Sequence, residues 1–371
     1  MNVPLLDLVG QYRAIKDEVL PALQAVIESQ QFIMGPAIAQ LEARVAELSH
    51  ARHGIGCASG TDALLLPLRA LDLRAGDEVI TTPFTFFATA GAIHNAGGRP
   101  VFVDIDPGTF NMDPAAVEAA VTPRTRAIVP VHLYGQMVEM ERLLAIAQRH
   151  NLRIIEDAAQ AIGARRSIDG EWRMAGELGW VTGYSFFPSK NLGAWGDAGM
   201  MVTSDDATGE RLRKLRLHGG AKQYHHEEVG TNSRLDTLQA AVLLVKLPHL
   251  AEWSARRREH AAYYGDALAD LDAVRTPSVA AGNEHIFHQY TLRVKRRDAL
   301  QAHLKTRGVG SAIYYPLPLH RQPCFADLGY AAGRLPAAEQ AAAEVLSLPV
   351  YPELTHTQLD YVIGAIREFY R

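Results

Sequence analysis

Between Gly54 and Thr203, short apolar runs alternate with segments of helical spacing, and this alternation constrains the fold more than any other feature of the chain. Strands are expected at Glu78–Thr82, Pro100–Ile105, Ala127–His132, Arg153–Glu156, Val181–Phe187 and Met200–Thr203. Helices are expected between them at Thr61–Leu71, Thr85–Asn95, Pro114–Ala120 and Glu139–His150. A run such as Ala127-Ile-Val-Pro-Val131 has no polar face, so its sheet must be covered on both sides. The pattern is that of an α/β fold, a mostly parallel sheet flanked by helices.

Ahead of that region, residues 11–30 and 36–50 are expected to be helices, separated at Gly35-Pro36. Beyond residue 235 the texture changes. Helical patterns at Asp236–Val245 and Ala251–Leu271 precede strands at Gln289–Val294 and Ser311–Tyr315, with closing helices near Ala337–Leu346 and Thr355–Tyr370. A chain of 371 residues exceeds one small core. We divide it into a large α/β domain over residues 1–245, including the N-terminal helices, and a smaller α+β domain over 246–371.

The formal net charge of −4 creates no field for a polyanion, so neither nucleic acid nor an acidic membrane is an expected partner. No apolar run has the length of a bilayer span, and Met1-Asn-Val-Pro-Leu-Leu-Asp7 lacks the blocks of a secretory signal. Cys57 and Cys324 stand at no metal or redox spacing and are expected to be free thiols in the cytoplasm. The runs Arg256-Arg-Arg258 and Lys295-Arg-Arg297 are expected to form solvated faces.

Chemistry concentrates after the aromatic run Val181–Phe187, where Pro188 stops the strand and Lys190 follows, with the glycine-rich Gly193-Ala-Trp-Gly-Asp-Ala-Gly199 behind it. A lysine in mostly apolar surroundings is biased toward its neutral, nucleophilic amine, the form needed to make a Schiff base. Three stretches complete a pattern around it. Gly60-Thr61 opens an apolar helix, and a helix N-terminus with a hydroxyl suits a phosphate, although ordinary capping looks the same. Asp157 ends a buried strand at the ligand edge of an α/β sheet, where it could pair with a protonated ring nitrogen or simply cap a helix. Gln160 could bond a ring substituent, and Ser185 shares the strand that leads to the lysine. Phosphate cradle, strand-end aspartate and then lysine is the order of a pyridoxal phosphate (PLP) enzyme of the aspartate-aminotransferase fold.

The chain resembles the DegT/StrS family of nucleotide-sugar aminotransferases nearly end to end. The residues that carry the resemblance are Pro4-Leu-Leu-Asp7, Gly35-Pro36, Ser59-Gly-Thr-Asp-Ala63, Gly76-Asp-Glu-Val-Ile80, Pro83-Phe-Thr-Phe86, Val103-Asp-Ile-Asp106, Glu156-Asp-Ala-Ala-Gln160, Ser185-Phe-Phe-Pro-Ser-Lys190 and Gly230-Thr-Asn-Ser-Arg-Leu-Asp236. It implies a fold-type I PLP-dependent transferase. Lys190 would hold the cofactor and serve as its catalytic acid and base, Asp157 would pair with the pyridine nitrogen, and Phe86 would stack on the ring. Gly60, Thr61 and Ser185 would bind the phosphate, joined by Asn232 from the partner subunit of a homodimer.

The resemblance also bears on substrate. His225-His226 followed by Gly230–Ala241 is similar to members that aminate C3 of a keto sugar, with glutamate as the expected donor. Arg234, Tyr224, Tyr314 and Tyr315 would meet the substrate. Arg234 suits a carboxylate or diphosphate, or else an interface salt bridge. Relatives acting on UDP-2-acetamido-3-oxo-glucuronate are closest in texture, but Tyr314-Tyr315-Pro316 stands where their His-Tyr-Pro is expected, so a dTDP-3-keto-6-deoxyhexose competes. Amination at C4 or of a cyclitol shares the same machinery, and a regulator that retained the fold is the non-enzyme alternative. Adjacent histidines point to opposite faces of an extended chain, so no metal is expected at His225-His226.

Overall fold

The computed structural model describes residues 1–222 and 224–371. Two helices lead the chain. α1 (Leu8–Ser29) begins where the Asp7 carboxylate accepts from the Gly10 amide at 2.8 Å, and α2 (Pro36–Leu48) begins at a proline whose fixed φ suits that position. The alternating region follows as β1 (His53–Cys57), α3 (Gly60–Ala70), β2 (Glu78–Thr81), α4 (Ala88–Asn95), β3 (Arg99–Phe102), α5 (Pro114–Ala120), β4 (Thr125–Val129), α6 (Met140–His150) and β5 (Arg153–Asp157). Next come a hairpin of β6 (Arg165–Ile168) and β7 (Glu171–Met174), then β8 (Val181–Ser185), β9 (Gly199–Thr203) and α7 (Asp206–Leu215).

Seven strands form one sheet in the order β1-β9-β8-β5-β4-β2-β3. All its pairings are parallel except those of β9, which runs against both β1 and β8. Successive strand residues feed opposite faces. Ile80, Ile128 and Ile154 pack with Ile38, Leu41 and Val45 of α2 on one side, while Val79, Val129 and Ile155 pack with Leu64 and Leu68 of α3 on the other. Each such burial contributes about 1.5–3 kcal/mol, which is why the strands are apolar throughout. Because β1, β2, β4, β5 and β8 point the same way, their carboxyl ends share one edge, and Gly60, Phe86, Asp157 and Lys190 lie at or just beyond it.

The remaining elements are α8 (Thr237–Lys246), α9 (Leu250–Leu268), β10 (Val274–Arg275), β11 (Asn283–Glu284), β12 (Tyr290–Val294), α10 (Arg297–Thr306), α11 (Pro336–Glu344), β13 (Val345–Leu348) and α12 (His356–Tyr370). β10, β12 and β13 make a small antiparallel sheet, and its core gathers Tyr264, Leu268, Leu292, Leu300, Leu346 and Ile366. Val3 belongs to this second core and bridges to Val309. In the opposite direction, β11 pairs with β6 in a separate three-stranded sheet completed by β7, Asn283 against Arg166 and Glu284 against Arg165.

Three local expectations fail. Ser311–Tyr315 is not a strand: Ala312 makes only an isolated bridge to Ser347, and the chain then turns to carry Tyr315 to Gln160. That contact overrides the β preference of the tyrosines. The helix expected to run to Leu346 stops at Glu344, because Val345 and Leu346 are taken into β13 against β12. Arg257, in a run expected to be solvated, is 4% exposed and donates to the carbonyls of Phe287 at 3.2 Å and His288 at 3.4 Å. Its neighbours Arg256 and Arg258 pair with Glu252 and Glu284. Cys57 and Cys324 are free thiols, the first buried and the second exposed. Among the described residues no helix is long and apolar enough to cross a membrane.

Candidate active site

β8 ends at Ser185, two residues earlier than its aromatic composition suggests. Phe186 leaves the strand by donating to the Ala198 carbonyl and accepting from the Ala194 amide, both at 2.8 Å. The Lys190 amide then closes a turn onto the Phe187 carbonyl at 2.8 Å. Gly193 lies so close to the Pro188 carbonyl that a Cβ would collide with it, so the turn needs glycine there. The lysine side chain is half-buried, and packing around its amine lowers the pKa from 10.5 to about 8 against the opposing pull of Asp157.

Asp157 is the last residue of β5 and pairs in register with Gly183 of β8, which brings it beneath the lysine turn. The carboxylate is 5% exposed. Oδ2 accepts from the Thr89 hydroxyl at 2.7 Å and Oδ1 from the Ala159 amide at 3.2 Å. Burial raises its pKa, while those two donors, Lys190 and His132 pull it down. A buried carboxylate in that balance is stabilised by a further cationic N–H partner, as a pyridinium would provide.

The candidate phosphate cradle lies where α3 begins. Ser59 caps the helix by accepting from the Asp62 amide at 3.2 Å, and Gly60 abuts Ser185. A Cβ on Gly60 would stand 2.5 Å from Ser185 Cβ and 2.8 Å from its hydroxyl oxygen. The Ser185 hydroxyl thereby lies against the N-terminus of α3, where backbone amides suit a phosphate. Glycine at the cradle, a pyridinium-ready carboxylate and an amine of lowered pKa together fit PLP.

Gln160 is engaged at both ends of its amide: Oε1 accepts from the Tyr134 amide at 2.6 Å and Nε2 donates to the Tyr315 hydroxyl at 3.1 Å. Tyr315 sits 6.3 Å, centroid to centroid, from Phe86, whose ring is 59% exposed at the sheet edge. The Tyr314 carbonyl accepts from the Tyr134 hydroxyl. Asn232 is exposed and Arg234 half-buried, on either side of the buried Ser233. The Ser233 hydroxyl donates to Asp62 at 2.6 Å and accepts from the Ala58 amide at 3.2 Å, which ties this segment to the rim of the cradle. Among the described residues Arg234 has no hydrogen-bonded or ionic partner. Tyr224 stands apart from the cluster, 90% exposed on a surface loop.

Three neighbours went unnoticed in the sequence. Thr89 bonds Asp157, Thr85 bonds Thr89 at 3.1 Å, and His288 bonds Asn191, the residue after the lysine, at 3.2 Å. The threonines stand at an i, i+4 spacing after a strand, a pattern that by itself does not point to Asp157. His288 reaches the site through tertiary structure alone, and burial together with Lys190 and Arg257 pushes its pKa down, so the imidazole is neutral.

The parallel sheet with its edge lysine, aspartate and cradle defines a fold-type I PLP-dependent aminotransferase. Residues 13–367 match the model of the DegT/DnrJ/EryC1/StrS aminotransferase family, and the chain belongs to that family. It is 56% identical over 373 residues to a pleiotropic regulatory protein of Geobacillus stearothermophilus, covering 100% of this chain and 99% of that one. It is 48% identical over 365 residues to a UDP-N-acetyl-3-dehydro-alpha-D-glucosamine 3-aminotransferase of Acidithiobacillus ferrooxidans, covering 98% and 97%. Among solved structures, S. venezuelae DesV in complex with a ketimine intermediate superposes with a TM-score of 0.96 at 43% identity, covering 100% of this chain and 99% of that one.

Proposed function

We propose that this enzyme moves an amino group from glutamate to the C3 keto group of a nucleotide-linked sugar, acting as a cytoplasmic homodimer. The A. ferrooxidans relative, named for amination at the same carbon, supports the position. The observation that carries the reading is the half-buried Arg234, a guanidinium without a partner among the described residues, beside a segment bonded to the cradle rim. Its bidentate fork suits the diphosphate of a nucleotide sugar or the carboxylate of a uronate.

PLP supplies an aldehyde that condenses with amines and a ring that withdraws electrons. The chain's residues do the rest. Gly60, Thr61 and Ser185 anchor the phosphate, with Asn232 of the partner subunit as a further ligand. Asp157 would pair with the ring nitrogen and keep it protonated. Phe86 would stack on the ring, and Gln160, held by Tyr315, would bond a ring substituent. Lys190 would take the proton from the α-carbon of glutamate and, in the second half of the reaction, deliver one to the sugar carbon that receives the amino group; an amine with a pKa near 8 can do both close to neutrality. Tyr314 and the exposed Tyr224 would meet the sugar nucleotide from outside.

Purified protein with glutamate should aminate a UDP-linked or dTDP-linked 3-keto sugar and leave 4-keto sugars and keto-cyclitols largely unreacted. Preferential turnover of a 4-keto sugar or a cyclitol would replace the C3 reading. The name of the G. stearothermophilus relative favours a second reading, a regulatory role. A regulator independent of catalysis would work equally well with Lys190→Ala.

A further inference from the structure

Asp157 does not stand alone at the sheet edge. The hydroxyl of Thr89, in the first turn of α4, donates to its Oδ2 at 2.7 Å, and the Thr85 hydroxyl lies 3.1 Å from that of Thr89. All three side chains are out of water: Thr85 is 3% exposed, Thr89 1% and Asp157 5%. A carboxylate oxygen can only accept, so the Thr89 proton must point at Asp157. The Thr89 oxygen is then left as acceptor for the Thr85 hydroxyl. The three groups form a chain with one direction, ending on the carboxylate.

We propose that Thr89 is a positioning residue that keeps Asp157 ionised and aimed, with Thr85 fixing the direction of its hydroxyl. This rests on the reading of Asp157 as the partner of the cofactor's ring nitrogen. The physical need is plain. Burial disfavours the charge that such a partner must carry, and one short charge-assisted hydrogen bond offsets part of that penalty. It also holds one carboxylate oxygen in place, which leaves the other lone pairs for the ring. The charged and titratable groups facing Asp157 come from other elements: Lys190 beyond β8, His132 beyond β4 and Tyr315 of the segment before η-turn residues Leu319–Arg321. None of these substitutes for a donor at 2.7 Å.

The test uses Thr89→Val, which keeps the shape but removes the hydroxyl, and Thr89→Ser, which keeps the hydroxyl. In apo-protein, the carboxyl band of Asp157 is followed by infrared difference spectroscopy against pH, with Asp157→Asn identifying the band. Thr89→Val should move the titration to higher pH, and Thr89→Ser should restore it. PLP affinity, measured by equilibrium dialysis, should fall on the order of tenfold or more in Thr89→Val and return in Thr89→Ser, the scale of a hydrogen bond to a charged group. An unchanged titration in Thr89→Val overturns the proposal, as does equal damage in both variants, which would mark a packing role. The underlying reading fails separately: Asp157→Asn would then bind PLP as tightly as the wild type while the infrared shift in Thr89→Val persists.

Discussion

Lys190 and Asp157 pull each other toward the charged state, and burial defeats both. The aspartate raises the lysine's pKa and the lysine lowers the aspartate's, yet the amine still falls to about 8 and the carboxylate still rises. Burial therefore outweighs the attraction between these two opposite charges at this edge of the sheet. The consequence is a nucleophile partly neutral near physiological pH and a carboxylate that gains from any additional cation.

Amine reactivity in apo-protein reads this directly. Labelling of Lys190 by an amine reagent requires the neutral form, so its rate should rise with pH and reach half its maximum near pH 8 rather than near 10.5. Asp157→Asn removes a charge that raises the lysine's pKa, so the midpoint should move lower still. A midpoint in the ordinary lysine range, or an upward move in Asp157→Asn, contradicts the balance described.

Attachment of the cofactor is checked by reduction. Purified protein should be yellow, and borohydride should fix the cofactor's mass on the peptide that contains Lys190. Lys190→Ala should still bind PLP through the cradle and Asp157, with turnover lower by several orders of magnitude. Label recovered on another lysine would reassign the role.

Asp157→Asn keeps shape and removes charge. Folding stability should change little, while turnover falls by about 100-fold or more, the scale of losing a preorganised electrostatic partner. Near-normal turnover in that variant would refute the electron-sink role.

Gly60 tests the cradle. Gly60→Ala places a methyl 2.5 Å from Ser185 Cβ, and the overpacking should cost about 1–3 kcal/mol of stability, read by chemical denaturation. PLP affinity should fall as well. Adding Ser185→Gly relieves the clash but removes a phosphate hydroxyl, so stability should recover and affinity should not. Recovery of both would mean that Ser185 does not bind the phosphate.

Sharing of sites between subunits is tested by complementation. Lys190→Ala protein and Asn232→Ala/Arg234→Ala protein should each be inactive. After subunit exchange, the heterodimer has one site with both lesions and one with none, so up to about half the wild-type turnover should return. Verified exchange without recovery would confine Asn232 and Arg234 to their own chain.

The layered sheet was legible because its strands are apolar on both faces, as at Ile80, Ile128 and Ile155, and no other arrangement buries such runs. Lys190, Asp157, Gly60 and Ser185 were legible as an ordered set, since each ends or follows a strand whose carboxyl end lies at the same edge. Thr89 was hidden in an ordinary helix start, and only the fold shows what its hydroxyl touches. His288 and Arg257 were beyond reach for a different reason: their partners lie about 30 to 100 positions away, and a histidine or arginine carries no local sign of burial. Ser311–Tyr315 misled because aromatic residues signal strands even where a side-chain contact decides the path.

The pairing of β11 with β6 has a mechanical meaning. Ile286 and His288 continue it by donating to the carbonyls of Gly135 and Tyr134, at 3.0 and 2.8 Å, so the backbone from Asn283 to His288 is fastened to the large domain. Two residues later, Tyr290 is already paired with Leu348 in the small one. The Gln289 amide also reaches the Tyr134 carbonyl, at 3.4 Å, so the chain changes sheets between Gln289 and Tyr290, and His288 just before this point is bonded to Asn191. The strand that enters the small sheet is thereby tethered, through one hydrogen bond, to the residue that follows Lys190.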